Sequence, residues 1–516
     1  MEQEKNMAPA KRESRDKASL SKIEGRPNKK SIKIGLILLF VTIIYIIFFI
    51  NLNYSYDWDT LSRAISIKSG NFETLFGAYH FIIPFLANFF VAIGFDPLTA
   101  FKILTAIFML VFVLGTYKFA YTETNDYVIA LMAALFILFN FGYTFLLTTL
   151  EDNIWMYAFI ILFVIFLVSD NWELAALFLS LGILVHIQTE VYLIMFFSYV
   201  LLKLDVLNLI KNQQITIKSP NKQKTLLIHK FALSMIFLLI PLIAAYSWLA
   251  ISKGFSSKRV IDAVLSSDYK IDPRVWYFAS ERSFLEQMQM AYYGYVSTFV
   301  SRFPEFLFDM PYAIYLGLLL LFVLIYVAFK SFSPNLKSLC AIPTFLILFV
   351  HSLFYESYSI ERWDFLPFFF MYFFVVGYTS KDKSTQIYLR TLLAAVLIIT
   401  ATFTLISFNV ITGFHAYSVN VYADELQKIL DNNSIVLDAT IRPTSESGGY
   451  LNYKAYGKII FADADTDLKD AFKAKKVYSS YITYSKLAEP AQLDGKVIWS
   501  NKFNNKFSIV KLSKRE

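Results

Sequence analysis

Residues 34–59 read IGLILLFVTIIYIIFFINLNYSYDWD. The stretch 34–52 is apolar and carries no charge, which is the length of helix that crosses the hydrocarbon of a bilayer, about 20 residues. Two carboxylates, Asp57 and Asp59, follow at once. An apolar span ending on acidic residues at the membrane boundary sets the theme for the rest of the chain.

The composition agrees. The 516 residues are 56% hydrophobic and only 17% charged, where a soluble domain carries about 25% charged residues. Charges gather in the first thirty residues, in a few loops and in the last hundred, with long apolar runs between. A soluble globule is excluded. The net charge of +8 does not imply nucleic acid, because excess Lys and Arg in membrane proteins marks cytoplasmic loops. There is no Gly-rich phosphate loop and no paired-Cys zinc pattern. Cys340, the only cysteine, rules out an intrachain disulfide and reads as a buried, inert thiol.

The apolar runs predict membrane helices over 34–52, 98–119, 127–147, 154–168, 173–189, 191–204, 231–251, 312–329, 339–354, 363–379 and 391–411, about eleven in all. The stretch 80–95, HFIIPFLANFFVAIGF, is short and interrupted by Pro84, so it is expected as an interfacial or re-entrant helix. Residues 1–33 read as a disordered basic tail. With that tail cytoplasmic, the inner loops are 119–126, 169–172, 205–230, 330–338 and 380–390. Three of them are basic, carrying among others Lys211, Lys218, Lys222, Lys224, Lys337, Lys381 and Arg390, as positive-inside loops should. Counting 80–95 as a span would put these lysines outside. The expected fold is therefore an all-α polytopic membrane protein over 34–411, multi-pass in a plasma membrane. Outer loops fall at 53–97 and 252–311, and a small extracytoplasmic α/β domain follows over 412–516. Its strand-like runs are SIVLDATI, GKIIFADA, KKVYSSYITY, GKVIWS and FSIVKL, with a helical stretch around Asp467–Ala474.

The outer side gathers the chemistry. After Asp57 and Asp59, Leu61, Ala64, Ile65 and Ile67 repeat with helical spacing suited to the interface. The plain alternative is that the two acids only cap that helix. Glu151 and Asp152 fall in the turn after the third span, His186 and Glu190 in the next outer turn, and Glu361 and Arg362 before the tenth span. Each alone reads as a solvated residue or cap. Together they place acidic and basic groups at one membrane boundary, where ionisable residues are costly and point to function. Arg259 and Arg302 in the long outer loop run against the positive-inside bias, and Arg forks match phosphate geometry.

Three stretches resemble the GT-C superfamily of polyprenyl-phosphate-sugar glycosyltransferases, similar to protein mannosyltransferases and aminoarabinose transferases. They are DWDTLSRAISIKSG with Asp57, Ala64 and Gly70; GAYHFIIPFLANFFVAIGFDPLTAFKI with His80; and IERWDFLPFFFMYFF with Glu361, Arg362, Trp363, Leu366 and Pro367. Phe81 and Ile82 stand where that family carries prolines. The resemblance implies a multi-helix enzyme with an outward cavity and a polyprenyl-phosphate-sugar donor. It implies Asp57 as general base with Asp59 beside it, and Arg362, Arg259 and Arg302 on the donor phosphate. His80, Glu151, Asp152, His186, Glu190 and Glu361 would orient an acceptor protein, lipid or glycan, and one displacement would invert the anomeric centre. A divalent metal is compatible with Asp57, Asp59 and Glu151, and the superfamily includes metal-dependent and metal-independent members. Two rivals remain. A transporter or flippase for a lipid-linked or anionic solute would expect charges near mid-span, where this sequence has almost none, with Asn140 the nearest polar exception. A non-enzymatic scaffold predicts that Asp57→Asn is silent.

Overall fold

A computed structural model describes residues 29–52, 58–69, 82–204, 222–252, 283–301, 312–354, 363–414, 419–438, 446–461, 468–474, 476–501 and 507–515. The membrane part contains α1 (Lys29–Ile50), α2 (Trp58–Ser69), α3 (Ile82–Ala92), α4 (Pro97–Thr124), α5 (Tyr127–Leu138) and α6 (Phe141–Thr149). It continues with α7 (Asn153–Val168), α8 (Trp172–Ile183), α9 (Tyr192–Lys203), α10 (Lys222–Ser252) and α11 (Phe284–Phe299). The last three are α12 (Tyr312–Ser331), α13 (Leu336–Phe354) and α14 (Phe365–Tyr378), before the long α15 (Lys383–Phe414). Among the described residues α1, α4, α10, α12, α13 and α15 are long and apolar enough to cross a bilayer unaided. The chain is a multi-pass membrane protein.

Burial sorts these helices. Every residue of α14 is buried, as expected of a helix apolar all round. In α12, by contrast, Leu319, Phe322, Ile325 and Phe329 face outward, as do Ile236, Ile240 and Ile243 of α10. Large apolar side chains exposed in such stripes are the surface that lipid covers.

The expected third span is broken. Helices α5 and α6 meet at 51°, and Asn140 caps the second, its side chain accepting from Tyr143 N at 3.3 Å. The polar residue that looked like a mid-span exception is an N-cap. The span expected over 173–189 stops at Ile183, and residues 187–191 form one 3-10 turn. Gly182 permits this, because Thr189 folds back so closely that a Cβ on Gly182 would lie 2.7 Å from Thr189 Cγ2. The outer loop expected over 252–311 also needs correction. It contains α11, whose Tyr295, Val296 and Phe299 are buried in the bundle. The polar first half, FLEQMQ, hid an apolar face that appears only in the second. Helix α3 is 11 residues long, too short to span, in keeping with an interfacial element.

One end of the bundle is laced by cations and acids. Lys337 pairs with Glu123 at 2.7 Å, Lys203 with Asp170 at 3.0 Å, and Arg390 with Asp126. Lys30 Nζ donates to Tyr127 OH at 2.7 Å. The short loops 119–126 and 169–172 contain no Lys or Arg and hold the acids that answer these cations. All lie at the N-terminal end of α1.

The tail carries α16 (Val419–Ile429), β1 (Ser434–Asp438), α17 (Glu446–Lys454), β2 (Ile459–Phe461), β3 (Lys476–Ser480), α18 (Tyr481–Ala491), β4 (Leu493–Ser500) and β5 (Ser508–Lys514). The sheet order is β2-β1-β3-β5-β4, parallel among the first three and antiparallel for β3–β5 and β5–β4. The helical stretch expected at 467–474 is a single 3-10 turn, Ala471–Lys473. An unexpected helix, α18, begins inside the run KKVYSSYITY. Ser480 caps it, accepting from Thr483 N at 3.2 Å, so a cap overrode the β-favouring Tyr, Ile and Thr that follow.

Candidate active site

The site is built at the other end, around the turn between α6 and α7. Leu150 takes a left-handed conformation, φ 64°, which costs an L-residue about 1–2 kcal/mol. This sharp corner lets Glu151 N donate back to the carbonyl of Leu146 at 3.0 Å and leaves Glu151 and Asp152 buried.

Helix α2 is pinned to that corner. Thr60 Oγ1 donates to the carbonyl of Leu150 at 2.8 Å, and Arg63 pairs with Asp152 at 3.1 Å with side chains 2% and 11% exposed. Leu61, Ala64 and Ile67 are buried as the helical spacing requires, but Thr60, Arg63 and Ser66 are buried too. The helix read as lying on the interface is therefore covered on its polar side as well. Thr60 and Arg63 face the α6–α7 corner, and α17 of the tail closes over the C-terminal end, where Lys68 Nζ donates to the carbonyl of Tyr453 at 2.8 Å and sits 4.5 Å from its ring centre. Burial lowers the Lys68 ammonium against the opposing pull of Asp96. Tyr453 OH in turn bonds the Asp96 carboxylate at the start of α4.

Asp57 lies outside the described residues. Asp59 falls in the first turn of α2, though only its backbone is described. The geometry nonetheless joins the element that begins beside these two acids to Glu151 and Asp152, a pairing that sequence spacing could not reveal.

A second polar cluster begins at Asp364, just before α14. Its carboxylate is 1% exposed. Oδ2 accepts from Asn153 Nδ2 and Oδ1 from Tyr157 OH, each at 2.7 Å. Its carbonyl accepts from Tyr143 OH, also at 2.7 Å. Asn153 and Tyr157 are four residues apart and so share one face of α7. Phe112 packs on both tyrosines, at 5.1 Å from the Tyr143 ring and 5.4 Å from that of Tyr157. Sequence reading missed Arg63, Tyr143, Asn153, Tyr157 and Asp364. The available signal was Asp364 itself, an acid heading an otherwise apolar helix. Glu361 and Arg362, immediately upstream, lie outside the described residues, as do His80, Arg259 and Arg302.

The 186–190 turn leads into this cluster, since Tyr192, two residues past Glu190, lies beside Tyr157. His186 Nδ1 accepts from Gln188 N at 3.2 Å, so the neutral ring carries its proton on Nε2. Glu190 reaches open space, yet the surrounding protein raises its carboxyl above the usual range. Ile82 N, at the start of α3, donates to the carbonyl of Leu184 at 3.3 Å, which brings this turn beside the interfacial helix. Among the described residues no group of three or more His, Cys, Asp or Glu gathers as a metal site. Cys340 is buried, as expected.

From the Trp363–Asp364 turn an apolar groove of about 680 Å³ runs between α11, α12, α13 and α14. Met288 and Trp363 line one end, Phe332 and Phe373 the other. From Trp363 to Phe373 the groove follows ten residues, about 15 Å of helix. Gly294 makes the upper wall possible, because a Cβ there would come within 2.2 Å of Trp363 Nε1.

No family model matches the sequence, and no curated protein matches it. Solved structures do. The crystal structure of ArnT from Cupriavidus metallidurans bound to undecaprenyl phosphate aligns with a TM-score of 0.55 at 10% identity, covering 93% of this chain and 97% of that one. The apo structure of the same protein aligns with a TM-score of 0.51 over the same shares. At that identity the likeness is one of fold, and it agrees with the expected all-α polytopic architecture.

Proposed function

We propose that this chain is a membrane glycosyltransferase that moves a sugar from a polyprenyl phosphate to an acceptor hydroxyl on the extracytoplasmic face. The observation that carries the reading is the groove. It is apolar along its length, and Trp363 at one end of it directly precedes Asp364, whose buried carboxylate joins the polar cluster on α7. A lipid-linked donor needs that combination, a dry channel for an isoprenoid tail and a polar head end. The undecaprenyl phosphate held by ArnT, a protein of the same fold, supports the donor class. The basic loops at the opposite end support a cytoplasmic N-terminus and an extracytoplasmic tail domain.

In this reading Asp57 removes the proton from the acceptor hydroxyl as its oxygen attacks the anomeric carbon. The bond from that carbon to the phosphate oxygen breaks, and the polyprenyl phosphate leaves with the electron pair. A single displacement inverts the centre. Arg362, with Arg259 and Arg302, meets the charge that builds on the leaving phosphate, where a preorganised cation is most effective. Asp59, Glu151 and Glu361 orient the acceptor, and His80, His186 and Glu190 line its approach. Asp57, Asp59 and Glu151 are the carboxylates a divalent ion would use, which turnover before and after chelation reads directly.

The test is sugar release from radiolabelled polyprenyl-phosphate sugars by the purified protein and by Asp57→Asn. Turnover that falls about 10²–10⁴-fold at unchanged melting temperature is the expected result. Equal turnover removes Asp57 from the role. A wild type that binds no carrier lipid and turns over no donor overturns the transferase reading in favour of transport.

A further inference from the structure

The Asp364 carboxylate sits 1% exposed at the head of α14 and takes its hydrogen bonds from α7. Asn153, one donor, immediately follows the Glu151–Asp152 turn; Tyr157, the other, lies one helical turn deeper. Tyr143, from α6 on the near side of the same turn, holds the Asp364 carbonyl. The corner carrying Glu151 and Asp152 is thus gripped from both flanks by one residue. On its other side that residue is joined to Trp363, which walls the groove, and to Arg362 one position further back.

A buried carboxylate costs desolvation that its hydrogen bonds only offset. Neutral donors at 2.7 Å do make a rigid, directional joint. Packing alone would not call for an acid here. Register between two turns would.

We infer that Asp364 is a positioning residue: it holds the acidic corner at Glu151–Asp152 in register with the turn at Trp363, which lines one end of the groove. The inference rests on the transferase reading for its consequence and on the hydrogen-bond geometry for its cause. On that reading the two turns carry opposite halves of one displacement, acceptor on one side and leaving phosphate on the other. A shift of about 1 Å between such halves can cost a hundredfold in rate. Donor binding, which depends on the groove, is largely spared.

The experiment uses the full-length protein in detergent, with Asp364→Asn, Asp364→Leu and Tyr157→Phe beside wild type. Melting temperature, kcat and KM for the polyprenyl-phosphate sugar are measured for each. Incorporated 5-fluorotryptophan reports on the Trp363 resonance, assigned through Trp363→Phe, with Trp172 as a distant control. We expect kcat to fall about 30- to 100-fold in Asp364→Asn with donor KM within threefold, and about threefold to tenfold in Tyr157→Phe. Asp364→Leu should melt below wild type, because it strands the buried Asn153 and Tyr157 donors, whereas Asp364→Asn should melt close to wild type while its kcat falls, a split that a merely structural role would not give. The Trp363 resonance should shift or broaden while that of Trp172 stays put. If Asp364→Leu does not fold, the isosteric Asp364→Asn and Tyr157→Phe decide alone. Wild-type kcat in Asp364→Asn overturns the inference while leaving the transferase reading intact. A wild type inactive with every donor counts against the transferase reading instead, and the fluorine signal then decides: an unmoved Trp363 resonance overturns the positioning role, and a displaced one sustains it.

Discussion

The two ends of the bundle use charge in opposite ways. At the end holding Lys30, Lys203–Asp170 is open, its side chains 35% and 47% exposed, while Lys337–Glu123 and Arg390–Asp126 expose the cation more than the acid. At the other end Arg63–Asp152 is sealed at 2% and 11%, and the buried Asp364 accepts from Asn153 and Tyr157. Open pairs contribute about 0–1 kcal/mol each, while breaking a sealed pair from one side costs about 3–5 kcal/mol. The first end can be remodelled freely. The second concentrates groups that are expensive to leave unmatched, which is where a protein keeps residues for chemistry rather than for stability.

That contrast can be broken most directly at Arg63. Arg63→Ala should destabilise by about 3–5 kcal/mol, because it strands Asp152 in a closed site. The paired change Arg63→Met with Asp152→Leu should recover most of the melting temperature. An Arg63→Ala protein that melts with wild type would mean the pair is solvated after all. Gly294→Ala should rank next, at about 1–3 kcal/mol for an overpacked contact, since the new methyl must displace the Trp363 indole. Unlike Arg63→Ala, it should raise donor KM, read by titrating the lipid-linked sugar. Asp170→Asn tests the open end at Lys203–Asp170, whose side chains are 35% and 47% exposed, and should cost less than about 1 kcal/mol, with turnover unchanged.

The smallest effect belongs to the tail sheet. Hydrogen bonds from Lys476 and Ser434 lower the Asp431 carboxyl to about 2. A carboxyl depressed on folding stabilises the native state above its unfolded value, near 3.9, and that support is lost as the pH falls through the folded value. Circular dichroism between about pH 4 and pH 2 should therefore show a slight loss of tail stability that Asp431→Asn no longer shows.

Much of this was legible from residue order. Uncharged apolar runs announced most helices because the bilayer demands length and hydropathy together, and alternating runs announced the strands. Three features escaped for physical reasons. Helix α11 begins with FLEQMQ, so its buried face is diluted by polar neighbours. The Arg63–Asp152 joint links elements far apart in sequence, and nothing local marks the pairing. Asp364 resembled an ordinary helix opener, although its side chain makes no cap of its own helix and serves α7 instead. The carboxylates read as most reactive, Asp57 and Asp59, owe their interest to position at the membrane boundary, whereas Asp364 owes its interest to the partners that surround it.

The contact of Lys68 with Tyr453 joins residues 385 positions apart. Ribosomes deliver α2 early and α17 almost last, so the helix that follows Asp57 stands without its lid for most of the chain's synthesis. A truncated or stalled polypeptide would hold the whole bundle yet lack the clasp over α2. Completion of the tail thereby becomes a checkpoint on maturation, and premature stop codons past residue 414 should yield protein that inserts normally but remains vulnerable to proteases at the α2 surface.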